Sequence, residues 1–271
     1  MKFAQINHIA IVSSDWTKLG RFYESVFDLE PPAKRRPLSG VTVGDGYAGI
    51  NINTHRDGGV AALDHFGFLV EDADEVVARM KKKYPETAVA KRPATRPFAA
   101  FSGHDPDGNV FDLAQRKVDH RSAVYVDRDE SEWHKDCYIN KYAIRTLHAE
   151  RVAEFYRDVF ELEPLNRKTD APGYHLTDGR VILSILPWSI DIFNGFNIKR
   201  PGADHLGFHV DDMETFKERV KMVSGKNHHL APVPLGGSEE SDGRMRLFQR
   251  SALGKMQMAD PDGNWIDVTD E

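Results

Sequence analysis

Residues 6–31 read INHIAIVSSDWTKLGRFYESVFDLEP, and residues 139–164 read INKYAIRTLHAERVAEFYRDVFELEP. The two stretches align without a gap, and 11 of the 26 positions are identical. Similarity of this kind within one chain indicates repeated structural units. The chain therefore contains the same unit at least twice.

Two further pairs of segments recur in the same order. They are LDHFGFLVEDADEV (63–76) with ADHLGFHVDDMETF (203–216), and DPDGNVFD (105–112) with DPDGNWID (260–267). We therefore divide the chain into an N-terminal domain at residues 1–118, a charged connector at 119–137 and a homologous C-terminal domain at 138–271.

Each half divides once more into two similar modules. The β-branched run Ile6–Val12 predicts a strand, and apolar residues at three- and four-residue spacing between Leu19 and Phe27 predict an amphipathic helix after it. Short β-rich stretches follow at 40–43 and 47–52. The second quarter repeats this order, so the sequence predicts an α+β protein of four βαβββ modules.

Composition limits the classes of partner and the compartment. The 36 Lys and Arg residues against 42 Asp and Glu residues give a net charge of −6, which argues against nucleic-acid binding. The longest apolar run, Val181–Trp188, is much shorter than the roughly 20 residues of a membrane span. The single cysteine, Cys137, excludes intrachain disulfides and favours a reducing compartment, so we expect a cytoplasmic protein without membrane partners.

These repeated segments resemble the vicinal oxygen chelate superfamily, which includes glyoxalase I, bleomycin resistance proteins and type I extradiol dioxygenases. The residues that carry the resemblance are those of INHIAIV, FYESVFDLEP, LDHFGFLVED and DPDGNVFD, together with their counterparts in the second half. The resemblance covers the whole chain except the connector. It implies that the modules pair into two glyoxalase-like domains, each an open curved sheet that can hold a divalent metal.

The resemblance implies a metal site in the first half. His8 and His65 stand on the first strand of modules one and two, Asp112 stands where the family usually has Glu, and Asn51 falls near a fourth position that contacts the substrate. Two imidazoles and a carboxylate suit Fe(II), Mn(II) or Zn(II). We expect Fe(II) first, with Mn, Zn, Ni or Co as alternatives.

The second half departs from this pattern at one position. Lys141 replaces the first histidine, and an ammonium group has no lone pair to offer a metal. His205 and Asp267 remain as a weaker alternative metal site. Lys141 either faces solvent, pairs with Asp267 or binds an anionic substrate, and we include it among the candidate substrate-binding residues.

The sequence leaves open how the modules pair. Pairing within each half would group His8 with His65 and Asp112. Pairing across the halves would instead group His8 with His205 and Asp267. Within-half pairing is the simpler arrangement, because elements adjacent in the sequence are usually adjacent in space.

The length and the two paired halves resemble those of the extradiol branch. This resemblance implies an oxidoreductase, a divergent iron-dependent dioxygenase that acts on a small aromatic diol or a related oxo-compound. Against this, the family's dioxygenases normally hold the metal in the second half, and Ser102 and Gln257 occupy the places where they carry a Tyr. The alternatives are a glyoxalase-like isomerase, lyase or epimerase, and a metal-free protein that binds a small molecule as bleomycin resistance proteins do. Exposed sheet edges in this fold also imply a possible homodimer.

The fourth module carries an insertion of 15 residues relative to the second, since the offset between the halves grows from 140 at 63–76 to 155 at 105–112. It contains GGSEESDGRMR, which is polar and rich in glycine. We expect a flexible loop or a lid there.

Overall fold

The structure is a computed structural model that describes residues 3–31, 40–55, 60–93, 99–116, 133–166, 168–196, 198 and 200–271. Most of the predicted connector, residues 119–132, lies outside the described residues. The described part of the chain contains no helix long and apolar enough to cross a membrane.

The elements of the first half follow the predicted order. They are β1 (Ala4–Ser13), α1 (Trp16–Phe27), β2 (Gly40–Gly44), β3 (Gly49–Thr54), β4 (Ala62–Val70), α2 (Ala73–Lys83), β5 (Val89–Lys91), β6 (Phe101–His104) and β7 (Val110–Gln115).

The second half has a similar order, with two additional α-helices and a short 3₁₀ helix, three strands instead of two after its first helix, and two strands instead of three at its end. Its elements are β8 (Cys137–Thr146), α3 (Ala149–Phe160), β9 (Glu163–Pro164), β10 (Tyr174–Thr177), β11 (Ile182–Pro187), α4 (Ile190–Phe196), β12 (Gly202–Val210), α5 (Met213–Lys226), a short 3₁₀ helix (His228–Leu230), α6 (Glu239–Ser251), β13 (Met256–Ala259) and β14 (Trp265–Thr269).

Helix α1 shows why these segments fold as they do. Asp15 caps its first turn by accepting a hydrogen bond from the backbone N–H of Lys18. The helix then buries its apolar face from Leu19 to Phe27 and ends at Asp28, whose φ of 55° is left-handed. The homologous helix α3 ends in the same way at Glu161, with a φ of 57°.

Each half forms one mixed sheet of seven described strands. The orders are β2-β3-β1-β4-β7-β6-β5 and β13-β14-β12-β8-β11-β10-β9. The central pair is antiparallel in both sheets, β1 with β4 and β8 with β12, and parallel strands flank it on either side. The modules therefore pair within each half, and the arrangement across the halves is not the one that forms.

The two halves share one hydrophobic core between their sheets. Phe27 of α1 stacks on Phe208 of β12 with ring centroids 3.8 Å apart, and Phe160 of α3 stacks on Phe68 of β4 at 3.9 Å. Each half therefore places a helix against the sheet of the other half, so the two sheets are held in a fixed relation.

Buried hydrogen bonds repeat this exchange. The hydroxyl of Tyr23 donates to Asp260 (2.8 Å), and that of Tyr156 donates to Asp105 (3.0 Å). Both aspartates begin the DPDGN turns, in which Gly108 adopts a φ of 86° that glycine accommodates without strain. Burial raises the pKa of Asp260 to about 6, although its hydrogen bonds lower it. The DPDGN motif thus joins the halves as well as forming a turn.

The insertion in the fourth module forms helix α6, so the expectation of a flexible loop is wrong. Ser238 caps the helix by accepting from the backbone N–H of Ser241, and acidic residues fill the first turn, where they favour a helix N-terminus. Leu247 and Phe248 are buried on one side. Tertiary packing therefore stabilises a segment whose composition resembles that of a loop.

We predict that Tyr23→Phe and Tyr156→Phe each lower the free energy of unfolding by about 1–3 kcal/mol, because each removes one hydrogen-bond donor from a buried carboxylate. Urea denaturation at 25 °C measures the change. Tyr174→Phe is the matched control, because Tyr174 is exposed, and it should stay within about 0.5 kcal/mol of wild type. Equal stability of all three variants would contradict the role of these bonds between the halves.

Candidate metal centre

One face of the first sheet carries the candidate ligands. Strand alternation directs Ile9, Ile50, Phe66 and Phe111, together with their apolar neighbours, into the core. His8, Asn51, His65 and Asp112 stand at the alternate positions of the same four strands. We call the side of the sheet that bears these four side chains the cup face.

The structure brings His8, His65 and Asp112 together. Their ligand atoms all lie within 4.8 Å of one another. His65 Nε2 is 3.2 Å from Asp112 Oδ2, and His8 Nε2 is 4.0 Å from the same oxygen. The two imidazole rings meet edge to face, with centroids 5.8 Å apart.

Two β-bulges fix the direction of the histidine rings. Between β1 and β4 the register passes from Ile6 to His8 and from His65 to Leu63, which leaves Asn7 and Asp64 as extra residues. Bulges are frequent near functional sites, where they re-aim side chains. Here each bulge residue contacts the histidine that follows it.

The contacts made by the bulge residues select the ring nitrogen that can bind a metal. Asp64 Oδ2 is 2.6 Å from His65 Nδ1, and Asn7 Oδ1 is 2.8 Å from His8 Nδ1. A carboxylate or amide oxygen only accepts hydrogen bonds, so each Nδ1 acts as the donor. Both Nε2 atoms are therefore the nitrogens that can offer a lone pair on the side of Asp112.

Asp112 is held in a matching way. Ser102 donates a hydrogen bond to its Oδ1, while Oδ2 lies beside the histidines. Burial disfavours the carboxylate, but the hydrogen bond and charge of His65 outweigh it and lower the pKa of Asp112. Burial also opposes the charged form of His65, but its bonds to Asp112 and Asp64 raise its pKa to about 9. Without a metal, a proton on His65 therefore balances the buried carboxylate at neutral pH.

The backbone makes room for the His8 ring. Gly67 stands opposite His8 in the register, and a Cβ atom at residue 67 would lie 2.0 Å from His8 Cε1. No other amino acid fits there unless the ring moves. The glycine of LDHFGF is thus part of the site.

The distances from the two histidines to Asp112 suit a shared divalent cation. Two ligands bound to one ion at about 2.1 Å each cannot be more than about 4.2 Å apart. Both contacts between a histidine and Asp112 are shorter than this limit. The shorter reach of Asp relative to the family's Glu therefore does not prevent Asp112 from meeting the histidines.

The homologous positions in the second half hold an ion pair. Lys141 Nζ lies 2.9 Å from Asp267 Oδ2 and 3.2 Å from the carbonyl oxygen of Ser251 at the end of α6. Asp267 also accepts hydrogen bonds from the backbone N–H groups of Leu253 and Gly254. The lysine and aspartate side chains are 2% and 3% exposed. Of the three alternatives for Lys141, the pairing with Asp267 is the one that forms, and the expectation of a solvent-facing side chain is wrong.

Helix α6 covers His205 in the second half. The Phe248 ring lies 4.9 Å from that of His205, and the buried Nε2 atom of His205 has no hydrogen-bond partner in the described part of the chain. Among the described residues, His205 and Asp267 do not belong to any group of three metal-ligating side chains. The geometry therefore favours the first-half site over the weaker alternative.

The two candidate substrate-binding residues lie in different places. Asn51 is on the cup face of the first sheet, where Thr42 donates a hydrogen bond of 2.9 Å to its Oδ1. Lys141 lies in the second sheet, bonded to Asp267. Their contacts with a substrate remain predictions.

The amino-acid sequence of the first half of the chain matches a known family. The family described as Glyoxalase/Bleomycin resistance protein/Dioxygenase superfamily matches residues 5–113. The first half of the chain is thus similar in sequence to this superfamily. No curated protein sequence matches the chain. The family match at residues 5–113 confirms the resemblance that the sequence analysis described.

Solved structures share the fold of both halves. The Mn(II)-bound glyoxalase from Novosphingobium aromaticivorans has a TM-score of 0.64 at 14% identity, covering 98% of this chain and 82% of that chain. The 2,3-dioxygenase LapB from Pseudomonas sp. KL28 has a TM-score of 0.61 at 14% identity, covering 97% and 91%. This chain spans 38% of a xylose isomerase-like TIM barrel/4-hydroxyphenylpyruvate dioxygenase fusion protein, with 80% of its own residues aligned, 12% identity and a TM-score of 0.57. At such identities the likeness shows the fold alone, an α+β fold of two glyoxalase-like domains.

The sequence did not reveal the residues that support the candidate ligands. Asn7 and Asp64 were not predicted, although each directly precedes a candidate histidine and an aspartate recurs before His205. Ser102 was noted only as a replacement for a Tyr. The repeated Asp-His pair was a signal, but only the bulge shows why neighbouring side chains on a strand meet.

We predict that the wild-type protein binds about one divalent ion per chain, and that His8→Ala, His65→Ala and Asp112→Asn each abolish this binding. Elemental analysis after reloading with Fe(II) or Mn(II) and gel filtration measures the metal content. His205→Gln is the matched control in the second half and should bind as much metal as wild type. Loss of metal in His205→Gln alone would place the site in the second half.

We predict that Lys141→Met lowers the free energy of unfolding by about 3–5 kcal/mol, because it leaves Asp267 as a buried charge without its cation. Urea denaturation measures the loss. The double variant Lys141→Met/Asp267→Asn should recover part of it, since it removes the uncompensated charge. A stability within about 0.5 kcal/mol of wild type for Lys141→Met would contradict a structural role for the ion pair.

Proposed function

We propose that the protein is a metal-dependent enzyme in which His8, His65 and Asp112 hold a divalent cation. Fe(II) is the first choice for this cation. The proposed reaction is the ring cleavage of a small aromatic diol, or a related oxo-compound, by O₂. The observation that carries the proposal is the convergence of two oriented histidines and one carboxylate on the cup face. Two histidines and one carboxylate with open positions are typical of non-haem Fe(II) oxygenases.

The chemistry supplied by the cation when bound is that of a Lewis acid toward two neighbouring oxygens of the substrate. The chain contributes the rest. Ionised Asp112 brings a negative charge that favours a cation, and the burial of His8 and Asp112 limits the access of water. Thr42 fixes the amide of Asn51, and we assign to that amide a hydrogen bond to a substrate oxygen.

A second candidate is a glyoxalase-like isomerase, lyase or epimerase that uses Mn, Zn, Ni or Co. One observation favours it. Ser102 stands where the dioxygenases of the family are expected to carry a Tyr, and it donates its hydrogen bond to Asp112. A side chain used in this way supports the carboxylate and does not orient an aromatic diol.

The protein's proposed setting is the cytoplasm. Its one cysteine, Cys137, is free and buried. Burial raises the pKa of this thiol to about 12, so the unreactive thiol form prevails. A small-molecule substrate and, at a sheet edge, a second copy of the chain are the partners that we propose.

Oxygen uptake tests the proposed reaction. Protein purified without air and loaded with Fe(II) should consume about one O₂ per diol with at least one member of a catechol and hydroquinone series. Substitution of a residue that only supports a metal ligand typically lowers activity about 10- to 100-fold. His65→Ala and Asp112→Asn remove proposed ligands themselves, so they should lower kcat/KM by more than this. Tyr174→Phe should match wild type.

Other outcomes separate the alternatives. Turnover of an oxo-acid or hemithioacetal by the Mn- or Zn-loaded protein, with no O₂ uptake for any diol, would support the isomerase or lyase instead. A protein that takes up no metal after reloading would contradict both and favour metal-free binding of a small molecule.

A further inference from the structure

The two candidate histidines differ in the residue that holds them from behind. His8 Nδ1 is bonded to the neutral amide of Asn7, and His65 Nδ1 is bonded to the carboxylate of Asp64. Both partners are bulge residues, and both contacts are short. Each ring is therefore oriented by one hydrogen bond, but only the His65 ring has a carboxylate behind it.

The carboxylate of Asp64 lies directly behind the His65 ring, with Oδ2 2.6 Å from Nδ1, and its side chain is 54% exposed to solvent. Among the described residues, no Lys or Arg forms an ion pair with Asp64, and Arg200 acts on it only through its more distant charge. The carboxylate is thus available to polarise the imidazole ring.

The second half has the same bulge with a different electrostatic outcome. Asp204 precedes His205 and lies 2.7 Å from its Nδ1, but Arg145 also bonds Asp204, with Nε 2.5 Å from Oδ1. The repeat places Val12 at the position of Arg145. Among the described residues, the bulge carboxylate of the first half forms no ion pair with an Arg or Lys, whereas that of the second half pairs with a buried guanidinium.

We infer that Asp64 is a positioning residue that strengthens His65 as a metal ligand through its charge, while Asn7 only orients His8. A carboxylate that accepts the Nδ1–H of an imidazole raises the basicity of the other nitrogen, and loss of such a partner lowers metal affinity about 10- to 100-fold. His65 is then the stronger of the two histidine ligands. This inference rests on the metal site of the proposed function and does not depend on which reaction occurs there.

Two substitutions separate charge from orientation. Asp64→Asn keeps an oxygen acceptor for Nδ1–H and removes the charge, whereas Asp64→Ala removes both. Asp64 is exposed, so both variants should fold. Asn7→Ala removes the orienting bond to His8, and Asp74→Asn, an exposed residue in the first turn of α2, is the control.

Competition with a chromophoric chelator measures the dissociation constants for Zn(II) and Mn(II). We expect Asp64→Asn to weaken binding about 10-fold and Asp64→Ala up to about 100-fold, with Asp74→Asn within twofold of wild type. In the Zn(II)-loaded protein, the proton NMR signal of the His65 Nδ1–H should lie far downfield because of its bond to a carboxylate. It should move upfield in Asp64→Asn and disappear by exchange in Asp64→Ala.

The outcomes distinguish this inference from the proposed function. If the wild type binds metal and Asp64→Asn binds it equally well, the charge of Asp64 has no role and the inference is overturned, while the proposed function stands. If the wild type binds neither ion, both are overturned. Weaker binding in Asp64→Asn supports the inference even if no diol is cleaved.

Discussion

The antiparallel pairing of β1 with β4 is the contact on which the rest of the site depends. It joins the first strands of two modules at the centre of one sheet, and so it carries His8 and His65 to the same face. Its two bulges place Asn7 and Asp64 directly behind those histidines. Without the pairing, the two modules would hold their histidines apart, and both could not lie beside Asp112.

The same pairing in the second half has a different chemical result. Both halves bury a carboxylate on their last strand, and a buried carboxylate is unfavourable unless a cation compensates it. Lys141 provides that cation for Asp267 within the chain, and the backbone N–H groups after α6 complete its bonding. Among the described residues, Asp112 has a proton on His65 and the hydroxyl of Ser102 beside it, and a metal ion can take the place of that proton. One half is thus complete by itself, while the other can accept a metal ion.

The sequence predicted much of this arrangement, but unevenly. The amphipathic periodicity of helix α1 and the β-branched strands gave the elements, because the burial of one face follows directly from spacing. Helix α6 was missed, since its polar and glycine-containing sequence is stabilised by the packing of Phe248 rather than by its own propensity. The bulges at Asn7 and Asp64 were missed because strand alternation predicts that adjacent side chains point apart.

The sequence by itself determined the duplication, the βαβββ order, and the residue types that can bind a metal, because repetition and periodicity are local properties that can be read along the chain. The tertiary structure alone decided which modules pair, that His8 and His65 meet Asp112, and that Lys141 closes the homologous position in the second half. These outcomes depend on register and packing between segments that are far apart in the chain. A shift of one residue in the β1–β4 register would turn the histidines toward the core, and no local pattern specifies that register.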